Sequence, residues 1–126
     1  MALMDTSAVI DFGDGVKSAV EIVNRLEREG EAIKVSAITI FELASGNPLG
    51  LSEKMRRLLQ PMQLIHFNPE HAELGGSIFK KLRLKGLDIG SLDSMIAGVA
   101  LCENERIVTG NVKHFSRVEG LKVITY

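Results

Sequence analysis

The chain has 126 residues, of which 45% are hydrophobic and 25% charged, with a formal net charge of −1. That length suits a single unit spanning residues 1–126 with one sizeable core, and the near-neutral balance excludes a global basic field for nucleic acid while leaving a local basic face open. One cysteine, Cys102, excludes an internal disulfide and predicts a reducing, cytoplasmic setting, and the N-terminus lacks the pattern of a signal peptide. The longest apolar run, Met95–Cys102, is too short to span a bilayer, and within it Cys102 reads as a small buried residue.

Ala2–Met4 predicts a short buried strand ending at Asp5, after which Thr6 or Ser7 caps a helix stopped by Gly13 and Gly15. From Val16 to Arg28, the residues Val16, Ala19, Val20, Val23 and Leu26 recur at helical spacing, and Gly30 ends the segment. Ile33–Val35 reads as a second strand. Ser36 then caps a helix through Ile38, Phe41 and Leu43, closed by Gly46-Asn47-Pro48. Met55, Leu58 and Leu59 line another helix, and Met62–Phe67 suits a third strand. Pro69 opens a helix with Leu74, Ile78 and Leu82 on one face and Lys80, Lys81, Arg83 and Lys85 at its far end. After a loop at Gly86–Gly90, a helix starting at Ser91 or Leu92 carries Asp93, Ile96, Ala97, Ala100 and Leu101. Arg106–Thr109 is a fourth strand, Gly110-Asn111 a turn, Val112–Phe115 a single helical turn, and Lys122–Thr125 a last strand. Short strands alternating with helices predict a three-layer α/β/α sandwich around a central, mainly parallel sheet of about five short strands. Ligands of such sheets bind beyond the carboxyl ends of the strands, which is where Asp5 and Asn111 fall.

Three acids stand among residues that favour burial: Asp5 after Leu3-Met4, Glu42 between Phe41 and Leu43, and Asp93 in Leu92-Asp93-Ser94-Met95-Ile96. Each has an ordinary structural reading. Asp5 could cap a helix, Glu42 could be a paired structural acid, and Asp93 could sit at the positive end of a helix. Together they admit another. Two unit charges about 4 Å apart repel by roughly 4 kcal/mol at an effective dielectric near 20, so three gathered carboxylates require a proton or a cation. Oxygen ligands without a nearby His or Cys favour Mg²⁺ or Mn²⁺ over zinc. His66 and His71 straddle Pro69 and cannot share a helix face. Asp88 lies near Asp93 and reads as a solvated loop acid.

Met4-Asp5-Thr6-Ser7-Ala8 resembles the opening motif of PIN domains, in which a first acid ends strand one. Ile40-Phe41-Glu42-Leu43 resembles the second-acid motif, and Leu92-Asp93-Ser94-Met95-Ile96-Ala97 the third. Val108-Thr109-Gly110-Asn111-Val112-Lys113-His114-Phe115 resembles the segment after the fourth strand. The order and spacing hold across essentially the whole chain. The nearest subgroup is the VapC-type toxins of prokaryotic toxin–antitoxin pairs.

The resemblance implies an RNA endonuclease dependent on Mg²⁺ or Mn²⁺, with Asp5, Glu42 and Asp93 as metal-binding and catalytic acids. Thr6, Ser7 and Thr109 would be polar neighbours that orient a ligand or water. Family members carry Asp or Asn at the position of Asn111 and often an acid at that of His114; the amide and imidazole here put a second metal in doubt. The resemblance also implies a homodimer, an RNA substrate and a small antitoxin partner, with no membrane role. Lys80, Lys81, Arg83 and Lys85, with Lys54, Arg56 and Arg57, are the cationic clusters that could meet RNA; each could equally be a solvated face. The apolar faces at Leu49–Leu59 and Ile78–Leu82 are candidate dimer or antitoxin surfaces, or plain core. Two other readings stay open. One is a PIN-like module with weak or no catalysis. The other is a phosphatase or phosphoryl-accepting domain using Asp5 and Lys113.

Overall fold

The computed structural model describes residues 1–126. In chain order the elements are β1 (Ala2–Met4), α1 (Thr6–Gly13), α2 (Lys17–Arg28), β2 (Ile33–Ser36), α3 (Ala37–Ser45) and α4 (Glu53–Leu59). They continue with β3 (Gln63–Ile65), α5 (Pro69–Leu84), α6 (Ser91–Cys102), β4 (Arg106–Val108), α7 (Val112–Phe115) and β5 (Val123–Ile124). The strands form one five-stranded sheet in the order β3-β2-β1-β4-β5, and every neighbouring pair is parallel. The α/β/α architecture expected from the sequence is the one observed.

Strand alternation divides the core. Ala2, Met4, Ile33, Val35 and Val108 face one side, where Ala8 and Val9 of α1 and Ile22, Val23 and Leu26 of α2 cover them. Leu3 and Ile107 face the other, against Ile78 and Leu82 of α5, Ile96, Val99 and Ala100 of α6, and Phe115. This is the two-residue period of a strand set against helices on both faces. The helices α5 and α6 touch backbone to backbone. A Cβ on Gly98 would lie 2.7 Å from the Gly75 nitrogen and 2.8 Å from the His71 carbonyl oxygen, so only glycine permits the approach.

The structure corrects several local expectations. Asp5 itself, not Thr6 or Ser7, caps α1, accepting a hydrogen bond from the Ala8 amide. Val16 lies outside α2 and is exposed, while Ile22 takes a buried place on that helix. On α5 the buried positions are His71, Gly75, Ile78 and Leu82, with Leu74 only partly covered. Cys102 is exposed. An unbroken apolar run does not say which way its last residue points, and a helix turns away from the core at its end. Because Ile78 and Leu82 lie in the core, their face is not a free surface; Phe41 and Leu49 are the exposed apolar side chains of the α3–α4 region, Leu49 at 94%.

The end of the sheet where the strands start is rich in matched charge. Lys34 and Glu105, both buried, form an ion pair. Glu31 pairs with Arg106 at 2.7 Å and with the amino group of Met1. These partners hold the Glu31 carboxyl below its ordinary range, the hydrogen bond to the terminal amino group contributing most. No helix is long and apolar enough to cross a membrane.

Candidate active site

Chain order defines a crevice at the other end. The path runs β1, β2, β3 outward on one side, and then β4 returns to pair with the opposite edge of β1. Helices after β1 and β4 therefore diverge just past their carboxyl ends, and such a switch point is where α/β sheets bind ligands. Asp5 follows β1 directly, and Thr109, Gly110 and Asn111 follow β4.

Asp5 is 2% exposed. Its Oδ2 accepts a 2.6 Å hydrogen bond from the Thr109 hydroxyl, its Oδ1 accepts from the Ala8 amide at 2.9 Å, and Ser7 Oγ lies 2.8 and 2.9 Å from the two oxygens. Desolvation nonetheless pushes its carboxyl above the ordinary value of 3.8; the charge of Asp93 adds to the rise, and the hydrogen bonds from Thr109, Ala8 and Ser7 oppose it. Hydroxyl and amide donors soften the burial of this charge without neutralising it.

Asp93 stands in the first turn of α6. Its Oδ2 is 2.9 Å from His114 Nδ1 and 3.5 Å from Asn111 Nδ2. Asn111 Nδ2 is also 2.9 Å from His114 Nδ1. One ring nitrogen cannot serve both partners at once. Carrying a proton it donates to Asp93; without one it accepts from the Asn111 amide. Asn111 is tied back to the Asp5 cluster, since its backbone N–H donates to the Thr109 hydroxyl at 2.8 Å.

Glu42 projects from α3, and its Oε1 accepts from the Thr6 hydroxyl at 2.6 Å, with Thr39 Oγ1 3.1 Å from the same hydroxyl. Thr6 adjoins Asp5, so Glu42 reaches the cluster through one intervening side chain. No lysine or arginine forms an ion pair with Asp5, Glu42 or Asp93. No set of three His, Cys, Asp or Glu side chains closes tightly enough to cage an ion unaided.

The donor set fits a hard divalent cation. Asp5 and Asp93 supply anionic oxygens within each other's field. Mg²⁺ in particular keeps most of its waters and takes one or two carboxylates plus substrate phosphate rather than a full protein cage. The buried, unpaired charge on Asp5 is what such an ion would relieve.

Other sequence candidates fall elsewhere. Asp88 is exposed and accepts from the Gly90 amide at 2.8 Å, a turn contact. Lys113 is exposed on α7 and pairs with no acid, which removes the support for a phosphoryl-accepting Asp5. On α5, Lys80, Lys81 and Lys85 are exposed, and the Arg83 guanidinium lies 4.9 Å above the Phe79 ring. Sequence reasoning missed Asp11 and Tyr126, whose side chains meet at 2.5 Å beside Gly110. An acid inside the apolar stretch Ala8–Phe12 was the available signal.

Comparison with known proteins identifies the family and the fold. The PIN domain family matches residues 2–121. Ribonuclease VapC19 of Mycobacterium tuberculosis is 26% identical over 115 residues, covering 91% of this chain and 92% of that protein. Ribonuclease VapC2 of Rickettsia felis is 30% identical over 105 residues, 78% of each chain. The crystal structure of VapBC2 from Rickettsia felis, bound to a DNA fragment from their promoter, superposes with a TM-score of 0.83 at 26% identity, covering 99% of this chain and 98% of that one.

Proposed function

This chain belongs to the PIN-domain family, among the VapC ribonucleases, and from that premise we propose that it is an endoribonuclease dependent on Mg²⁺ or Mn²⁺ and the toxin of a toxin–antitoxin pair. The observation that carries the reading is a buried carboxylate at the sheet's switch point, facing a second acid, with no lysine or arginine to balance either.

Asp5 and Asp93 would hold the ion, which when bound supplies Lewis-acid activation of a phosphodiester. The chain's own groups do the positioning. Thr109 and Ser7 fix both oxygens of Asp5, so its carboxylate cannot rotate away. His114 and Asn111 hold Asp93 from the other side. Thr6, next to Asp5, holds one oxygen of the Glu42 carboxylate, and Glu42 would orient the attacking water and take its proton.

The partners follow. RNA is the substrate, the active form is a homodimer, and a small antitoxin silences the site. A basic antitoxin side chain entering the crevice would supply the cationic partner that the acids lack. Asn111 and His114, which occupy the Asp93 carboxylate in place of further acids, favour a second reading: a PIN-like module with weak catalysis. Incubating the wild-type chain with a mixed RNA pool and Mn²⁺ separates the two. Cleavage lost in Asp5→Asn and Asp93→Asn supports the enzyme, and metal-dependent cleavage retained by the double variant rules out the site assignment.

A further inference from the structure

Two further side chains crowd the turn after β4. Tyr126, beyond β5, donates its hydroxyl to Asp11 Oδ2 of α1 at 2.5 Å. The pair sits directly over Gly110. A Cβ on Gly110 would lie 2.8 Å from Tyr126 Oη, 3.2 Å from Asp11 Oδ2 and 3.5 Å from Ser7 Oγ. The Gly110 amide, in an exposed turn, donates to Ser7 Oγ at 3.0 Å, and Ser7 in turn contacts both oxygens of Asp5. On either side of Gly110, Thr109 bonds Asp5 and Asn111 reaches Asp93.

We propose that Asp11 and Tyr126 are positioning residues for RNA cleavage, acting as a buckle that presses the Gly110 turn onto Ser7 and so sets where Thr109 and Asn111 stand toward the acids. Neither hydrogen-bonds Asp5, Glu42 or Asp93; they act through the turn and through Ser7, which Tyr126 also adjoins. Burial, the adjoining Asp11 carboxylate and the charge of Asp5 raise the Tyr126 phenol above its ordinary value of 10 against an opposing hydrogen bond with Ser7, so it stays a donor across the working range. The geometry also explains a glycine at position 110, where the space is closed by polar atoms rather than by a need for unusual backbone angles.

The activity readout rests on the ribonuclease reading, so a second readout stands beside it. Tyr126→Phe keeps the ring and removes the hydroxyl. It is expected to lower kcat on RNA by about tenfold to a hundredfold while KM moves less than about twofold, the signature of misplaced groups rather than lost binding. Gly110→Ala drives the hydroxyl off its seat and should reproduce that loss. The double variant Gly110→Ala/Tyr126→Phe should be no worse than Tyr126→Phe alone, since the two changes break one device. Independently of activity, exchange of the Gly110 amide hydrogen should quicken by about tenfold in Tyr126→Phe. Wild-type kcat in Tyr126→Phe, or additive losses in the double variant, overturns the proposal, as does unchanged Gly110 exchange. If the wild-type chain cleaves no RNA, the ribonuclease reading falls and the exchange measurement alone decides for or against the buckle.

Discussion

The two ends of the sheet treat their buried and half-buried acids in opposite ways. Where the strands begin, each acid has a cation: Glu105 has Lys34, and Glu31 has Arg106 and the amino terminus. Where β1 and β4 end, Asp5, Glu42 and Asp93 are served by hydroxyls, an amide side chain, a backbone N–H and an imidazole, with no lysine or arginine among them. The same fold can therefore neutralise a buried carboxylate and does so at one end only. Charge left unbalanced at this edge is a structural cost that a bound cation would remove, and this difference is the basis of the proposed metal site.

Substitutions at the two ends should split accordingly. The largest effect is expected from Asp5→Asn or Asp93→Asn, which should lower RNA cleavage by about 10²–10⁴-fold in single-turnover assays while circular dichroism stays native. Cleavage within tenfold of wild type would erase the contrast. Lys34→Met should do the reverse. It leaves Glu105 buried without its cation and should destabilise the fold by about 3–5 kcal/mol in urea titrations, with kcat of the folded fraction unchanged. Replacing both partners, Lys34→Met with Glu105→Leu, should recover most of that loss, because an apolar pair needs no compensation.

A smaller effect concerns pH. The Asp5 pKa is raised in the folded chain, so between 3.8 and its folded value the native state binds more protons than the unfolded chain. Stability from this group therefore falls as pH rises through that window, and above it the ionised Asp5 destabilises metal-free protein. The stability difference between Asp5→Asn and wild type should grow across the window and then level off; a difference independent of pH would show that Asp5 is not strained by burial. The smallest change belongs to α5. Lys81→Ala should reduce the salt dependence of RNA affinity by about one unit of slope if that lysine meets a phosphate, and leave it untouched if it is a solvated face.

Much of the fold was readable from local pattern. Gly13, Gly30, Gly46 and Gly110 punctuate the helices and turns close to where the structure ends them, and the two-residue alternation of Ala2, Leu3 and Met4 marks a strand covered on both faces. The acids stand out because each interrupts apolar sequence, and their order matches the motif order that resembles the family. What pattern could not supply were pairings across long stretches of chain. Lys34 with Glu105, His71 with Glu103 at 2.7 Å, and Asp11 with Tyr126 link residues that no period relates. His71, which pattern showed only to be unable to share a helix face with His66, is a buried member of the α5 capping box. Cys102 looked buried because an apolar run carries no information about the last turn of its helix. The orientation of Glu42 was equally hidden, since it depends on Thr6 and Thr39 meeting across α1 and α3.

If a divalent cation completes the acid cluster, metal must stabilise the folded chain, and thermal unfolding in the presence of Mn²⁺ or Mg²⁺ reads that directly. Ion at about a hundred times its dissociation constant should stabilise the wild-type chain by about 2.7 kcal/mol, and that gain should vanish in Asp5→Asn and Asp93→Asn. An equal gain in the wild type and both variants, or none in the wild type, would contradict the account.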